Sequence, residues 1–275
     1  MYRLTSAHAL DRRVESLRVL AEADPRLEGV LLYGSWTLGE ADAHSDIEAY
    51  LYVRDEHVDD FDGREFVGRL APLKLAYTNM YGILAVVFDD LMRGEFHVEA
   101  AGAGIDAVAS WVGMVHLPDP DAAVLLDRSG RLTRAAHQLA EFRPPEPVTT
   151  AQKLADELAN WTLMLAHVLA RGEIARGHAL LHTIIAPLQL QLCRLLRGST
   201  AHWLTPSRAW ERDIAPADQE RYVETTASAR EDEVRAAAQR SWRWSRDLMA
   251  EASGRWGIQL PLDLHEEIAD LLRAG

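Results

Sequence analysis

The stretch of sequence that decides the fold is YGSWTLG at residues 33–39, followed by SDIE at residues 45–48. A short apolar run ends in Gly-Ser, which predicts a strand that leads into a turn. We expect this turn to open a helix whose first backbone N–H groups would bind phosphate oxygens. Gly34 would let the backbone approach such a ligand closely. Ser35 and Thr37 would add hydroxyl groups to the same loop.

Two carboxylates, Asp46 and Glu48, lie at the start of a second predicted strand over residues 47–53. Apolar residues alternate along this strand, which predicts that one of its faces is buried. A spacing of two places Asp46 and Glu48 together on the other face. Two carboxylates beside a phosphate-binding loop are typical of a site that binds Mg²⁺ with a nucleoside triphosphate. The residues expected on the buried face are Ile47, Ala49, Leu51 and Val53.

A third carboxylate comes from the segment RGEFH at residues 93–97. In a strand at this position, Glu95 and His97 face one side and Phe96 faces the other. We predict that Glu95 joins the other two carboxylates and that Arg93 contacts phosphate, whereas His97 is a structural hydrogen-bonding residue. The Gly-Ser loop is not a Walker A loop, since the chain has no Gly-Lys pair. Its glycines are also wrongly spaced for a Rossmann fingerprint.

The strand and helix signals predict an α+β fold with two domains. Residues 1–142 are expected to form a domain with a small mixed sheet flanked by helices. Residues 143–148, with three prolines, form the predicted linker, and residues 149–275 form a helical bundle. In the first domain we predict a helix over residues 7–23 and strands over residues 30–33, 47–53, 83–88 and 95–100. In the second we predict helices over residues 149–172, capped by Thr149 or Thr150, and over residues 173–196, 206–214, 216–229, 231–255 and 261–273.

The composition excludes several classes of protein. The 275 residues include 29 Lys and Arg against 42 Asp and Glu, a formal net charge of −13. This charge argues against a nucleic-acid partner but permits a phosphate ligand that is bridged by a cation. The single cysteine, Cys193, excludes an internal disulfide and a cysteine-based zinc site. No apolar run reaches the ~20 residues of a membrane span, and residues 1–20 resemble no secretory signal, so we expect a cytoplasmic protein.

These motifs together resemble those of a known family. The Gly-Ser loop followed by Asp-x-Glu resembles the nucleotidyltransferase fold shared by polymerase-beta-like enzymes and antibiotic nucleotidyltransferases. With RGEFH at residues 93–97, RGE at 171–173 and HWLTPS at 202–207, the chain is similar over nearly its whole length to the larger, two-domain lincosamide nucleotidyltransferases. The Gly-Ser and Asp-x-Glu pattern marks only the fold, whereas the other segments are much more specific.

The resemblance implies a chemistry for the predicted site. Asp46 and Glu48 would hold Mg²⁺ that bridges the triphosphate of ATP. Glu95 would accept the proton of an acceptor hydroxyl or share a second metal ion. AMP would pass to a hydroxyl of a lincosamide antibiotic, such as lincomycin or clindamycin, and pyrophosphate would leave. The resemblance also implies a homodimer, and symmetric dimers are the commonest oligomers.

The acceptor is expected between the two domains, where a helical domain would supply an apolar surface. Trp161 and Tyr81 are candidates for this apolar wall. Relatives commonly carry a lysine at the position of Leu38. An arginine such as Arg171 or Arg176, or the arginine of the RGEFH segment, is therefore a candidate for the missing phosphate contact.

Two other functions stay open at this point. Residues 1–140 contain 13 basic and 23 acidic residues, a net charge of 13 − 23 = −10, and this charge would attract a polycationic acceptor such as an aminoglycoside. The other alternative is a non-catalytic module of the toxin–antitoxin type, built from a nucleotidyltransferase domain and a helical domain. The intact Asp46, Glu48 and Glu95 argue against a module without activity.

Overall fold

The computed structural model describes residues 7–274, and the chain divides into two units, residues 1–143 and 144–275. The predicted linker, residues 143–148, spans the point of division. Residues 1–6, which belong to the N-terminal segment that resembles no secretory signal, lie outside the described part of the chain. Each unit has its own hydrophobic core.

Within residues 7–274 the first unit contains one six-stranded mixed sheet with the strand order β3-β4-β5-β2-β1-β6. The strands are β1 (Leu27–Leu32), β2 (Ile47–Val53), β3 (Leu73–Thr78), β4 (Leu84–Phe88), β5 (Arg93–Ala100) and β6 (Val124–Asp127). β2 and β5 pair in parallel, and the other neighbours pair antiparallel. The helices are α1 (Ala7–Ala23), α2 (Gly63–Gly68), α3 (Ala101–Val108), α4 (Pro120–Ala123) and α5 (Arg131–Ala136), with 3₁₀ turns at Asp55–His57, Ala109–Trp111 and His137–Leu139.

The central strand β2 is buried more completely than its sequence predicts. Its alternating apolar residues are at most 1% exposed and pack in the core with α1. Tyr52, on the opposite face, is also fully buried, because α3 covers that end of the sheet. The prediction of a single buried face is therefore wrong beyond Tyr50. The helix α3, which follows β5 directly, packs over the sheet at this point. The alternation of residues within β2 does not predict that contact.

The second unit is helical, as predicted. Its helices are α6 (Pro147–Ala170), α7 (Ile174–Leu180), α8 (Ala186–Arg197), α9 (Trp210–Asp213), α10 (Pro216–Glu224), α11 (Glu231–Trp256) and α12 (Leu262–Ala274), with a π-helical turn at Leu181–Ile185 between α7 and α8. α6, α8 and α11 pack around one core. Gly198 and Gly257 end α8 and α11 in the left-handed conformation, as the sequence predicts. The predicted α+β fold class is confirmed.

Several predicted boundaries in this unit are wrong. α6 begins at Pro147, and its cap is Glu146, whose carboxylate accepts from the N–H groups of Val148 and Thr149. Most of the predicted helix over residues 206–214 is turn, and only α9 is helical. Proline at residue 206 is compatible with either structure, so it did not identify a helix start.

One helical segment of the second unit is longer and more apolar than the sequence analysis predicts. Residues Ile174–Arg197, which include the π-helical turn, are long and apolar enough by length and composition to cross a membrane, and more than half of this apolar stretch is buried inside the protein. Its apolar residues lie in the core of the second unit, as expected for a central helix of a bundle.

Candidate active site

The Gly-Ser loop leads into a series of turns, so the predicted helix at this position is wrong. Residues 34–39 have turn geometry, with Leu38 N–H donating to the Gly34 carbonyl and Gly39 N–H to the Trp36 carbonyl. Gly34 and Gly39 have φ angles of 79° and 69°. These left-handed conformations at both ends of the loop prevent a continuous helical backbone. A phosphate would therefore meet loop N–H groups and side chains here, without the dipole of a helix.

The hydroxyl groups of Ser35 and Thr37 in the loop differ in their hydrogen bonding. Ser35 is 8% exposed, and its Oγ has no hydrogen-bond partner among residues 7–274. Thr37 Oγ1 donates to the Gly34 carbonyl at 3.0 Å and so stabilises the turn. A buried hydroxyl without a partner is costly in a native protein unless a ligand completes it. Ser35 is therefore the better candidate for a phosphate contact.

The three predicted carboxylates come together on one face of the sheet. Glu48 of β2 and Glu95 of β5 are register partners in the parallel pair, so their side chains emerge side by side. Asp46 lies two residues before Glu48, on the same face. A Cβ added to Gly34 would lie 1.7 Å from Glu48 Oε2, so the loop backbone contacts that carboxylate directly. The Gly-Ser loop therefore contacts Glu48, which is the register partner of Glu95.

Arg93 lies against two of these carboxylates. Its Nη1 is 3.5 Å from Asp46 Oδ2, and its Nη2 is 3.3 Å from Glu95 Oε1. The Arg93 side chain is 62% exposed. Long, exposed ion pairs of this kind contribute little stability, so the guanidinium is free to exchange carboxylate for phosphate.

No group of three His, Cys, Asp or Glu side chains within the described residues is gathered closely enough to hold a metal ion. The donor set nonetheless fits Mg²⁺, because carboxylate oxygens are its preferred protein ligands and the triphosphate supplies others. The unpartnered hydroxyl of Ser35 beside the carboxylates fits a phosphate ligand bound at the same place. The assignment of Asp46, Glu48 and Glu95 as metal ligands stays a prediction.

Aromatic rings continue the same face below the carboxylates. The Tyr33 hydroxyl and His97 Nε2 are 3.1 Å apart, and the His97 ring stacks on Tyr50 at 4.0 Å between centroids. Burial lowers the pKa of His97, so its ring is neutral at pH 7. Burial raises the pKa of Tyr33, and the nearby Glu48 raises it further, so the phenol stays protonated. His97 has the structural hydrogen bond that the sequence predicts.

Sequence reasoning missed the role of Tyr33 and Tyr50 on this face. The signal was present, because Tyr50 lies two residues after Glu48 in a strand with a period of two. Its significance depends on β5 as a parallel neighbour, which brings His97 opposite Tyr50. No local pattern gives that pairing.

The other predicted residues are placed without a defined role in this site. Tyr81, in the turn between β3 and β4, is 77% exposed. Trp161 in α6 donates through Nε1 to Glu157. Arg176 pairs with Glu173 at 3.0 Å, which is the structural alternative for this arginine.

The two C-terminal motifs of the predicted resemblance have structural roles in the second unit. In the first, Gly172 has a φ of 74° and follows the C-terminal cap of α6. In the second, the backbone carbonyl of Pro206 accepts a hydrogen bond from the buried Arg194. His202 Nδ1 lies 2.8 Å from Asp213 Oδ2. These motifs therefore fix a helix end and a loop within the unit.

A mixed sheet with carboxylates near a Gly-Ser loop is the arrangement that the sequence predicts for a nucleotidyltransferase. Residues 149–271 match the family described as "Lincosamide nucleotidyltransferase-like, C-terminal domain". This match supports the predicted resemblance to antibiotic nucleotidyltransferases. No curated protein matches the chain by sequence.

Solved structures show distant likenesses. An aminoglycoside 6-adenyltransferase from Bacillus subtilis is 13% identical, with 98% of each chain covered and a TM-score of 0.44. A nucleotidyltransferase-like protein from Exiguobacterium sibiricum is 13% identical, with 88% of this chain and 77% of that chain covered and a TM-score of 0.37. A CCA-adding enzyme in complex with CTP is 12% identical, with 96% and 73% covered and a TM-score of 0.33.

Proposed function

We propose that the protein is a Mg²⁺-dependent O-nucleotidyltransferase that transfers AMP from ATP to a hydroxyl of a lincosamide antibiotic and releases pyrophosphate. The observation that carries this proposal is the parallel register of Glu48 and Glu95, with Asp46 on the same face. Arg93 contacts both Asp46 and Glu95. The backbone of Gly34, next to the buried and unpartnered hydroxyl of Ser35, contacts Glu48. Such a site suits a triphosphate, a divalent cation and a hydroxyl nucleophile together.

Glu95, Asp46 and Glu48 have different roles in the proposed reaction. Glu95 accepts the proton of the acceptor hydroxyl while that oxygen forms a bond to the α-phosphorus of ATP. The bond from the α-phosphorus to the bridging oxygen breaks, and pyrophosphate leaves with the electron pair. Asp46 and Glu48 would hold Mg²⁺, which when bound neutralises charge on the triphosphate. In a two-metal arrangement Glu95 would be a shared ligand, which is the competing role for this residue.

The triphosphate has two further contacts in this proposal. Ser35 donates its buried hydroxyl to a phosphate oxygen and so gains the partner that it lacks. Arg93 is long and exposed, and it exchanges its two weak carboxylate pairs for the triphosphate. Gly34 keeps the loop backbone close to the carboxylates. Thr37 supports the turn through its hydrogen bond to the Gly34 carbonyl.

The lincosamide is the proposed acceptor because residues 149–271 match the family described as lincosamide nucleotidyltransferase-like C-terminal domains. An aminoglycoside is the second candidate, and the net charge of −13 favours it, since an acidic protein attracts a polycation. Both candidates share the same site and the same phosphoryl chemistry, so the acceptor alone separates them.

The direct test is a panel of lincomycin, clindamycin and several aminoglycosides incubated with the protein, Mg²⁺ and each nucleoside triphosphate. Mass spectrometry is expected to show a lincosamide that carries one added AMP, together with free pyrophosphate. Excess EDTA is expected to abolish the product. Modification of the aminoglycosides alone would move the protein to the second candidate, and turnover in EDTA would exclude the metal.

Variants show whether the activity belongs to this site. Asp46→Asn is expected to lower kcat at least ~10²-fold, because the carboxylate pair is needed to hold the metal. Asp59→Asn removes the same charge from an exposed position of the same unit and is expected to keep the wild-type rate. Binding of ATP and Mg²⁺ without transfer to any acceptor would support the non-catalytic module instead.

Two further properties belong to the proposal, a cytoplasmic location and a homodimer. ATP and Mg²⁺ are plentiful in the cytoplasm, which supports the location. Exposed apolar side chains on and after β3, such as Tyr77 and Met80, support association with a second copy. Light scattering coupled to size-exclusion chromatography is expected to give twice the chain mass of 30.7 kDa. The mass of a single chain would contradict the dimer.

A further inference from the structure

Glu99 is a half-buried carboxylate that the proposed chemistry does not use. It lies on β5 four residues beyond Glu95, and therefore on the same face of the sheet. Among residues 7–274 it receives no hydrogen bond and no ion pair. Burial raises the pKa of its carboxyl group. An ionised group held in this way costs stability, and such groups concentrate at binding sites.

A second unpartnered polar group lies next to Glu99. Tyr52 is fully buried, yet its hydroxyl has no hydrogen-bond partner in the described part of the chain. A Cβ added to Gly104 of α3 would lie 2.9 Å from both Glu99 Oε2 and Tyr52 Cε1, so these atoms are near neighbours. Glu99 and Tyr52 are register partners on neighbouring strands, and no described protein group satisfies the Tyr52 hydroxyl.

The face of the sheet between Glu95 and Glu99 carries aromatic rings. His97 lies midway on β5, stacked on Tyr50, and Trp111 lies 4.8 Å from Tyr50 between ring centroids. Four residues of strand separate the two carboxylates by ~13 Å along the backbone. An acceptor of modest size with an apolar body spans that distance.

We propose that Glu99 binds a protonated amine of the acceptor while the acceptor hydroxyl lies at Glu95, with its apolar body over the Tyr50 and His97 rings. This assignment rests on the proposed function for its geometry, but the ammonium site itself does not require nucleotide transfer. The amine supplies the cation that the half-buried carboxylate lacks, and it brings the hydroxyl into register with the base. Glu99 is thereby a specificity-determining residue, and it selects acceptors that are cationic and amphiphilic.

The first experiment measures the ammonium site without any nucleotide. Protonated benzylamine is titrated into the full-length protein by saturation-transfer NMR, with benzyl alcohol as the uncharged probe. We expect Glu99→Gln to weaken binding of the cation at least ~10-fold and to leave binding of the alcohol unchanged. Asp106→Asn on α3 removes the same charge from an exposed neighbour, and Glu95→Gln removes it from the base; both are expected to bind the cation as the wild type does. Equal binding of the cation by wild type and Glu99→Gln would overturn the proposal.

The second experiment separates the roles of the two glutamates in turnover. With lincomycin as acceptor, Glu99→Gln is expected to raise KM at least ~10-fold and to change kcat by less than ~3-fold. Glu95→Gln is expected to lower kcat with little change in KM. A fall in kcat at constant KM in Glu99→Gln would overturn the proposal. If no acceptor is modified but cation binding still depends on Glu99, the proposed function fails and the ammonium site stands.

A stability measurement shows that the variant is folded and that the native charge is costly. Glu99→Gln is expected to raise Tm by roughly 1–3 °C, because it removes a desolvated charge that has no partner. A lower Tm would assign Glu99 a structural role and would overturn the proposal.

Discussion

Arg194 of the helical unit and the carboxylates of the sheet are charged groups that the chain treats in opposite ways. The Arg194 side chain is 0% exposed, and it donates to the carbonyls of Pro206, Ser199 and Arg208 and to Asp213. Carbonyl oxygens of the protein therefore accept hydrogen bonds from the guanidinium group, and the Asp213 carboxylate balances its charge. On the sheet, Glu99 has no such partner among the described residues, and Arg93 contacts its carboxylates only at 3.3–3.5 Å.

The difference separates a charge that stabilises the fold, that of Arg194, from charges on the sheet that we propose bind a ligand. Burial opposes ionisation of Asp213, but hydrogen bonds from Arg212, His202 and Arg194 overcome it and hold the pKa of that carboxyl below its usual value. A fully satisfied buried network fixes one conformation, in this case that of the loop between α8 and α9. Charged and polar groups that have no partner within the protein are available to bind a substrate.

The largest effect is expected at the buried arginine. Arg194→Met is expected to lower the free energy of unfolding by about 3–5 kcal/mol, because it leaves the buried carbonyls of Pro206, Ser199 and Arg208 without this donor and removes one of the donors to Asp213. Arg197→Met is the matched control on the same helix. Its pairs with Asp218 and Glu251 are partly exposed, so about 1 kcal/mol or less should be lost. Urea denaturation of both variants measures the difference, and equal losses would break the comparison.

The next effect is on catalysis and leaves stability nearly unchanged. Glu95→Gln keeps size and hydrogen bonding but cannot accept a proton, so kcat is expected to fall ~10²–10⁴-fold. The lost pair with Arg93 is exposed, and stability should change by less than about 1 kcal/mol. Isothermal titration with ATP and Mg²⁺ is the control measurement, and affinity should hold. A collapse of nucleotide affinity with a normal rate in the bound state would make Glu95 a metal ligand instead.

These two regions also differ in how far the sequence predicts them. The carboxylate face followed from local spacing, because a strand has a period of two and places Asp46 and Glu48 together. The ends of α8 and α11 followed from glycines that favour a left-handed cap. The role of Arg194 was not predictable, since its partners are backbone carbonyls of a loop whose conformation depends on the arginine itself.

The same reasoning explains what was missed in the sheet. β3 is an edge strand with mostly exposed side chains, and β6 has four residues, so neither gives a strong alternating pattern. The burial of Tyr52 depends on α3 crossing over the sheet, and the pairing of Glu48 with Glu95 joins residues far apart in sequence. Long-range pairing has no local signature, so the face that holds the site could be predicted but its neighbours could not.

A third prediction compares the two glycines of the loop. Gly34→Ala places a Cβ on the Glu48 carboxylate, whereas a Cβ on Gly39 meets nothing within 4 Å. Both residues have positive φ angles, so either substitution is expected to cost about 1–2 kcal/mol of stability through backbone strain. Only Gly34→Ala should lower kcat/KM, by at least ~10-fold, because it alone displaces a site carboxylate. An equal loss of activity in Gly39→Ala would show that loop strain, and not the contact with Glu48, controls the site.

The smallest effect concerns two histidines, the half-buried His97 of the sheet and the buried His265 of the helical unit. Burial lowers the pKa of His97 on the sheet and of His265 on α12. A histidine with a lowered folded pKa binds more protons when unfolded, so stability is lost as pH falls below about 6.5, the unfolded value, towards the folded pKa. We therefore expect urea midpoints to fall between pH 7.5 and 5.5, and His97→Gln and His265→Gln each to flatten that slope. An unchanged slope in His97→Gln would mean that the pKa of His97 is the same in the folded and the unfolded protein, and would contradict its lowering by burial.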